Sequence, residues 1–114
     1  MEAKAITRNI GSSPRKMRLV IDQIRGKRVD EALNLLHFNP KHGATVVEKT
    51  LRSAISNFVN KAEGGRVETE GLIVTTAVVD AGSMVKRVQP APQGRAYRKR
   101  KRSNHVTIIV SDLK

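Results

Sequence analysis

Leu-Ile-Val-Thr-Thr-Ala-Val-Val-Asp, residues 72–80, is the stretch that decides the fold. Six of its nine residues are β-branched, a composition that favours a β-strand. His105 to Val110 has the same character, so a second strand is predicted there. Between them, residues 81–104 contain no acidic residue and no helical stripe. Because a structureless loop of this length is unusual in a small domain, we predict that both strands continue outward as a β-hairpin turning near Pro90 to Gly94.

Upstream of these strands, the chain begins with a predicted strand and helix. Glu2 to Ile10 alternates, with Lys4, Ile6, Arg8 and Ile10 on one side and Ala3, Ala5 and Thr7 on the other. Ser13 is a predicted N-cap, followed by Pro14 at the first helical position. We expect this helix to run to about Arg25 and to end at Gly26. Its apolar stripe consists of Met17, Val20, Ile21 and Ile24.

Two more helices are predicted before the β-rich half. Asp30 is a predicted cap for a short helix that ends before Asn39. Asn39 and Pro40 repeat the cap-plus-proline signal and predict a long helix to about Ala62, ended by Gly64-Gly65. Its apolar positions are Ala44, Val47, Leu51, Ala54, Ile55, Phe58 and Ala62. The predicted fold class is therefore α+β, with a small three-stranded antiparallel sheet packed against three helices and a long protruding β-hairpin.

The chain of 114 residues is long enough for one domain with a single modest core. We predict a globular body formed by residues 1–82 and 104–114, and an arm formed by residues 83–103. At about 3.3 Å per residue and about ten residues per strand, the arm would project roughly 30 Å. Because a two-stranded ribbon is marginal alone in water, we expect the arm to be ordered by a partner.

The distribution of charge indicates what that partner is. The formal net charge is +12, but residues 29–80 carry seven acidic and five basic residues, a net charge of −2. The remainder carries 17 basic and three acidic residues, a net charge of +14. Charge segregated in this way predicts polyanion-binding surfaces at both ends of the chain.

The composition and motifs of the chain argue against several kinds of functional site. There is no cysteine, so disulfides and thiolate metal sites are excluded. His37, His42 and His105 have no metal-ligand spacing, and no phosphate-loop motif occurs. We therefore expect no metal, no cofactor and no enzymatic activity. No apolar run is long enough to span a bilayer and no signal peptide is visible, so we expect a cytoplasmic protein without a membrane partner.

The densest basic motif is Arg98 to Arg102, Arg-Lys-Arg-Lys-Arg, which leads directly into a predicted strand. Such a run is a contact for nucleic-acid phosphates, a solvated surface run or a nuclear-localisation patch, and its direct connection to a strand favours the phosphate contact. Lysine and arginine alternate within it, which suits recognition of backbone shape rather than of bases. Arg15, Lys16, Arg18 and Arg25 form a similar surface on the first helix, with few acids nearby, and this surface is either an RNA contact or an ordinary solvated helix face. Tyr97 either stacks on a base or packs on the ribbon, and both alternatives stay open.

Several segments together resemble a known family, large-subunit ribosomal protein twenty-two. The matching segments are Ser13–Val20, Ile24–Lys27, Ala32-Leu33, Ser53–Asn57, Lys86–Pro90, Gly94–Ala96, Ser103–Thr107 and Val110–Asp112. They occur in order over nearly the whole chain. The sequence differs from the family pattern in two places. Asp80–Ser83 lacks the proline that commonly follows its glycine, and the tip reads Ala91-Pro92-Gln93 where the family usually has an arginine and a lysine.

The resemblance implies a structural role, with the body on the outside of the large ribosomal subunit and the hairpin passing through ribosomal RNA to line the polypeptide exit tunnel. It also implies assistance in subunit assembly and a ribosome-bound location. The implied partners are large-subunit ribosomal RNA, neighbouring ribosomal proteins and the nascent polypeptide. The predicted RNA-binding residues are Lys4, Arg8, Arg15, Lys16, Arg18, Arg25, Lys27, Lys86, Arg87, Arg95, Arg98, Lys99, Arg100, Lys101 and Arg102. The predicted tunnel-lining tip is Val88, Gln89, Pro90, Ala91, Pro92, Gln93 and Gly94.

Two other functions are compatible with a basic ribbon. The first is an architectural DNA-binding protein whose ribbon enters a groove, for which a stable dimer is expected. The second is a basic protein that binds an acidic protein or membrane surface, although aromatic residues are only 3% of the chain.

Overall fold

The structure, a computed structural model, describes residues 2–61, 71–90, 94 and 96–112. The elements in chain order are β1 (Glu2–Ile10), α1 (Pro14–Ile21), α2 (Val29–His37), α3 (His42–Lys61), β2 (Leu72–Pro90) and β3 (Ala96–Asp112). The strands form one antiparallel sheet in the order β1-β3-β2. Within these ranges the predicted α+β class, with three helices and a three-stranded antiparallel sheet, is confirmed.

The core lies between one face of the sheet and the three helices. On β3, Val106, Ile108 and Val110 are buried, and they alternate with partly exposed residues as a one-sided strand requires. On β2 the buried set is Leu72, Val74, Ala77 and Val79, which changes from even to odd positions. A bulge after Val74 inserts the extra residue Thr75, whose Oγ1 donates a hydrogen bond to the Ile109 carbonyl at 3.2 Å. The bulge keeps the apolar side chains on the core side.

α3 forms the largest part of the helical layer and packs against β1, β3 and α2. Its predicted stripe is confirmed where the structure describes it. Ala44, Val47, Leu51, Ala54 and Phe58 are buried, and Ile55 packs at the edge of the core. Thr50 is also buried, and its hydroxyl is hydrogen-bonded there. It donates to the Val46 carbonyl at 2.9 Å and lies 2.6 Å from the Thr7 hydroxyl. None of the described helices is long and apolar enough to cross a membrane.

The predicted end of α1 at about Arg25 is wrong. The helix ends at Ile21 and is followed by turns through Gly26, which has φ +80 as expected for a left-handed glycine. The Gly26 amide donates to the Val74 carbonyl, and the Val74 amide donates to the Lys27 carbonyl, both at 2.9 Å. The helix stops early because the following chain pairs with the free edge of β2.

The predicted starts of α2 and α3 also need correction. Asp30 is not the cap of α2, because the helix begins at Val29 and its N-cap is Arg28. Asp30 lies instead in the first turn, where a carboxylate is favourable beside the positive end of the helix dipole. Asn39 caps a turn before α3, accepting a hydrogen bond from the Lys41 amide at 2.9 Å, and α3 begins at His42. The predicted end at Ala62 and Gly64-Gly65 lies outside the described residues.

Candidate nucleic-acid interface

The arm begins where β1 leaves the sheet. The last β1–β3 pair is Ile10 with Asn104, whereas β2 and β3 stay paired from Met84–Arg102 to Pro90–Ala96. The sheet is thus three-stranded in the body and becomes a two-stranded ribbon in the arm. The structure measures 66 Å along its longest axis and 25 and 17 Å along the others. Ala91 to Gln93 and Arg95 lie outside the described residues, so closure of the hairpin stays a prediction.

The register divides the cationic positions of the arm between the two faces of the ribbon. Directly opposed residues of antiparallel strands share a face, and the faces alternate along each strand. The first face carries Met84, Lys86, Val88, Arg98, Arg100 and Arg102, and the second face carries Val85, Arg87, Gln89, Tyr97, Lys99 and Lys101. Four cationic positions therefore lie on the first face and three on the second, so neither face of the ribbon is neutral.

Like charges are also opposed across the two strands. Lys86 is paired with Arg100, and Arg87 with Lys99. Directly opposed like charges destabilise an antiparallel pair, and residues 81–104 contain no acid that would compensate. Strand pairing in the arm therefore works against electrostatic repulsion, which bound anions would remove.

The base of the arm is held to the body by side-chain hydrogen bonds. Asn104 is fully buried, and its Nδ2 donates to the carbonyl and to the hydroxyl of Ser12 at 2.7 and 2.8 Å. His105 Nδ1 accepts a hydrogen bond from the Asn9 amide at 3.1 Å, where Asn9 has a positive φ of 57. These contacts join β3 to the end of β1 and to Ser12 just after it.

Gly82 lies at a bulge in β2 where the two strands approach closely. A Cβ at this position would lie 2.5 Å from Ser103 Oγ and 3.1 Å from His105 Nε2. Ser103 Oγ cannot move away at no cost, because it donates to the Ser83 carbonyl at 2.6 Å. The base of the arm therefore requires a residue without a side chain at position 82.

We expect Gly82→Ala to lower the free energy of unfolding by about 1–2 kcal/mol, since the new methyl group displaces the Ser103 hydroxyl and breaks its hydrogen bond. In a Ser103→Ala background the same substitution should cost less, which urea denaturation of the four proteins of this cycle would measure. Gly11→Ala is the control, because a Cβ there meets nothing within 4 Å. Equal costs of Gly82→Ala in both backgrounds would contradict the steric explanation.

The predicted body cations fall into separate groups. Lys4 and Arg8 are exposed on β1, opposite the buried Ala3 and Ala5, and so lie on the outer face of the sheet. Arg15 and Lys16 are exposed on α1, on the helical side of the sheet, and Lys27 is exposed after it. Of the stem side chains, Lys86, Lys101 and Arg102 are described as exposed. The structure therefore does not bring all predicted residues into one patch.

Arg18 and Arg25 have an intramolecular role that sequence reasoning missed. Arg25 Nε and Nη2 donate to the Ala77 carbonyl at 3.1 and 2.8 Å, and its Nη1 contacts Asp22 at 2.8 Å. Arg18 Nη2 donates to the Val79 carbonyl at 3.3 Å. Both arginines therefore satisfy carbonyl groups on the outer edge of β2, which would otherwise be open to pairing with another strand.

Residues 5–111 match the family described as Ribosomal protein L22p/L17e. The chain belongs to this family. It is similar to the large ribosomal subunit protein uL22 of Flavobacterium johnsoniae, with 53% identity over 105 residues, covering 92% of this chain and 77% of that protein. For the uL22 protein of Bacteroides fragilis the identity is 56% over 102 residues, covering 90% and 74%. For that of Porphyromonas gingivalis it is 55% over 106 residues, covering 93% and 78%.

Membership of the L22p/L17e family confirms the resemblance on which the sequence prediction rested. It also selects the ribosomal function over a DNA-binding ribbon and over a basic protein for acidic surfaces. Because the family is a structural one, the chain is not an enzyme. In the described part of the chain, no three histidine or acidic side chains are grouped so that they could hold a metal ion.

Residues at the base of the arm were not among those predicted for this L22p/L17e protein. Gly82, Ser103 and Asn104 position the arm without carrying charge, so a search for cations does not find them. A glycine isolated within a strand pattern is a known signal of a bulge or close backbone approach, and this signal applies to Gly82. No comparable sequence signal marks Asn104, whose partner Ser12 is distant along the chain.

Proposed function

We propose that the protein binds large-subunit ribosomal RNA through both faces of its arm, with further contacts from the exposed cations of β1 and α1. As an L22p/L17e protein it is a structural constituent of the large ribosomal subunit, ribosome-bound in the cytoplasm, with ribosomal RNA and ribosomal proteins as partners. It supports assembly of the subunit by bridging RNA segments. The observation that carries the proposal is the register of the ribbon, which assigns cationic positions to both of its faces.

A protein that lies on RNA with one side needs cations on that side alone. A ribbon with four cationic positions on one face and three on the other is suited to a passage that RNA lines on both sides. The opposed pairs Lys86–Arg100 and Arg87–Lys99 support the same interpretation, because phosphates on both faces would relieve their repulsion. Shape and backbone contacts of this kind dominate recognition of folded RNA.

We also propose that the tip, residues 88–94, lines the polypeptide exit tunnel and contacts the nascent polypeptide. The tip contains no charged residue, in contrast with the stem on either side of it. Val88 is 70% exposed and Gly94 is also exposed, so the tip presents apolar and backbone surface rather than cations. Such a surface has little affinity for phosphate and suits contact with a passing polypeptide chain.

Two matched triple variants test whether both faces bind RNA. The first carries Lys86→Gln, Arg98→Gln and Arg100→Gln, and the second carries Arg87→Gln, Lys99→Gln and Lys101→Gln. Each removes three cations from one face and keeps the length of the arm. We expect each variant to reduce the slope of log affinity against log salt by about two, as measured with large-subunit RNA fragments, because each phosphate contact contributes about 0.7–0.9.

Sucrose-gradient fractionation of cells checks the same variants in the ribosome. We expect the wild-type protein to sediment with the large subunit at moderate salt, and both triple variants to be released at lower salt. If only one of the two triple variants were released at lower salt, the two-sided contact would be contradicted. Failure of the wild-type protein to sediment with the large subunit would overturn the proposed function altogether.

A further inference from the structure

A cleft lies on the body between the start of α1 and the start of α3. Its volume is about 420 Å³, within the range of small-ligand sites. The lining residues are Ser12, Lys16, Met17, Leu19, Val20, Lys41, His42 and Gly43. Met17 and Val20 form a buried apolar floor, and Leu19 stands at the side with 53% of its surface exposed. A half-exposed leucine beside a concave apolar floor is a surface that a flat apolar ligand would cover.

The rim of the cleft is cationic. Lys16 and Lys41 lie among the lining residues, both exposed, and no acidic residue is among them. Gly43 keeps the floor open, because a Cβ there would lie 3.1 Å from Met17 Sδ. An apolar floor with lysines at the rim matches a nucleotide, whose base is flat and apolar on its faces and whose phosphates are anionic.

The cleft is continuous with the base of the arm. Ser12, which lines the cleft, also lines a surface groove with Gly11, Ser13, Lys101 and Arg102. Lys101 and Arg102 are the last cations of the arm before the body. A strand of RNA that leaves the arm can therefore follow lysine, arginine and hydroxyl groups to the cleft without meeting an acidic lining residue.

We propose that the cleft binds an unpaired nucleotide of ribosomal RNA, with its base against Leu19 and Met17 and its flanking phosphates at Lys16 and Lys41. This inference rests on the proposed function, because it places a second RNA contact on the same path. The body then contributes a contact to a single-stranded nucleotide, whereas the arm binds backbone shape. Neither Leu19 nor Lys41 belongs to the predicted RNA-binding residues.

Methyl NMR of the full chain separates this inference from the proposed function. The probes are a short single-stranded oligoadenylate and a fully paired RNA hairpin. We expect the single strand to shift the methyl signals of Met17 and Leu19 and the hairpin to leave them in place. Met84, 43% exposed at the base of the arm, should shift with both RNAs. If the single strand shifts the methyl signal of Met84 but not those of Met17 and Leu19, the proposed nucleotide site in the cleft is overturned. If neither RNA shifts the Met84 signal, the proposed function is contradicted.

Substitutions test which side chains bind the nucleotide. Leu19→Ser is expected to weaken oligoadenylate binding about fivefold, since it removes apolar surface that the base would cover. Lys41→Gln is expected to weaken binding about threefold and to reduce the salt slope by about one. The matched controls are Val59→Ser and Lys49→Gln, which change exposed residues of α3 that do not line the cleft. Equal losses of oligoadenylate affinity in the variants and the controls would overturn the proposal. Wild-type affinity in both Leu19→Ser and Lys41→Gln would overturn it as well.

Discussion

Replacing residues 86–102 with an Asn-Gly turn should lower the affinity for large-subunit RNA on the order of 100-fold while the body stays folded. The replaced segment holds eight basic residues, which are Lys86, Arg87, Arg95, Arg98, Lys99, Arg100, Lys101 and Arg102. If about half of them contact phosphates, the salt slope should fall by about three. Filter binding to RNA fragments over a range of salt concentrations measures both quantities.

The body should survive this replacement because the buried side chains found in the described residues all lie outside the replaced segment. Circular dichroism and urea denaturation would check this, with an expected change in the free energy of unfolding below about 1 kcal/mol. The control variant carries Val88→Ser and Gln89→Ser, which alter the tip without altering charge or length. It should bind RNA like the wild-type chain. Unchanged RNA binding after removal of the arm would contradict the assignment of the arm as the main RNA contact.

Of the two phenylalanines, Phe58 should contribute far more to stability, so Phe58→Ala should lower the free energy of unfolding strongly. Phe58 is 1% exposed in α3 and is the largest of the fully buried side chains described, so its removal leaves a cavity beneath the sheet. We expect a loss of about 3–5 kcal/mol in the free energy of unfolding, a large part of the 5–15 kcal/mol typical of a domain. Urea denaturation measures the loss.

The chain supplies its own control, because its other phenylalanine is exposed. Phe38 follows α2 and is 80% exposed, so Phe38→Ala should change the free energy of unfolding by less than about 0.5 kcal/mol. Similar losses for the two substitutions would show that the core does not lie where the buried residues indicate. Phe58 packs in the core beneath the sheet, and two strands of this sheet continue into the arm. RNA binding by Phe58→Ala should therefore weaken at temperatures at which the body unfolds.

Local signals predicted most of the elements. Ser13 caps α1 as expected, with its Oγ accepting a hydrogen bond from the Lys16 amide at 3.3 Å, and Pro14 is the first helical residue. The β-branched segments around Val74 and Ile108 are strands, and the stripe of α3 is buried where it is described. These features depend on the backbone preferences and on the apolar spacing of neighbouring residues, which the sequence displays directly.

The errors occurred where a distant segment competes with a local signal. α1 stops at Ile21 because Gly26 and Lys27 pair with Val74, a residue far along the chain. The bulge at Thr75 exists because the strand must keep both Val74 and Ala77 on the core side. The hydrogen bonds from the Arg25 guanidinium to the Ala77 carbonyl also depend on a distant segment, and the sequence did not indicate them; the prediction that Arg25 binds RNA stays a prediction. None of these partners can be identified from spacing within one element.

The proposed RNA-binding surface shows the same division. The sequence by itself determined that cations are concentrated between Lys86 and Arg102 and absent from the tip, because charge is a property of each residue. Only the tertiary structure decided how those cations are distributed over two faces, since that depends on which residues of β2 and β3 are paired. It also decided that Lys16 and Lys41, on two helices that are separate in the sequence, share one apolar cleft. Such contacts arise from packing of the body, to which every element contributes.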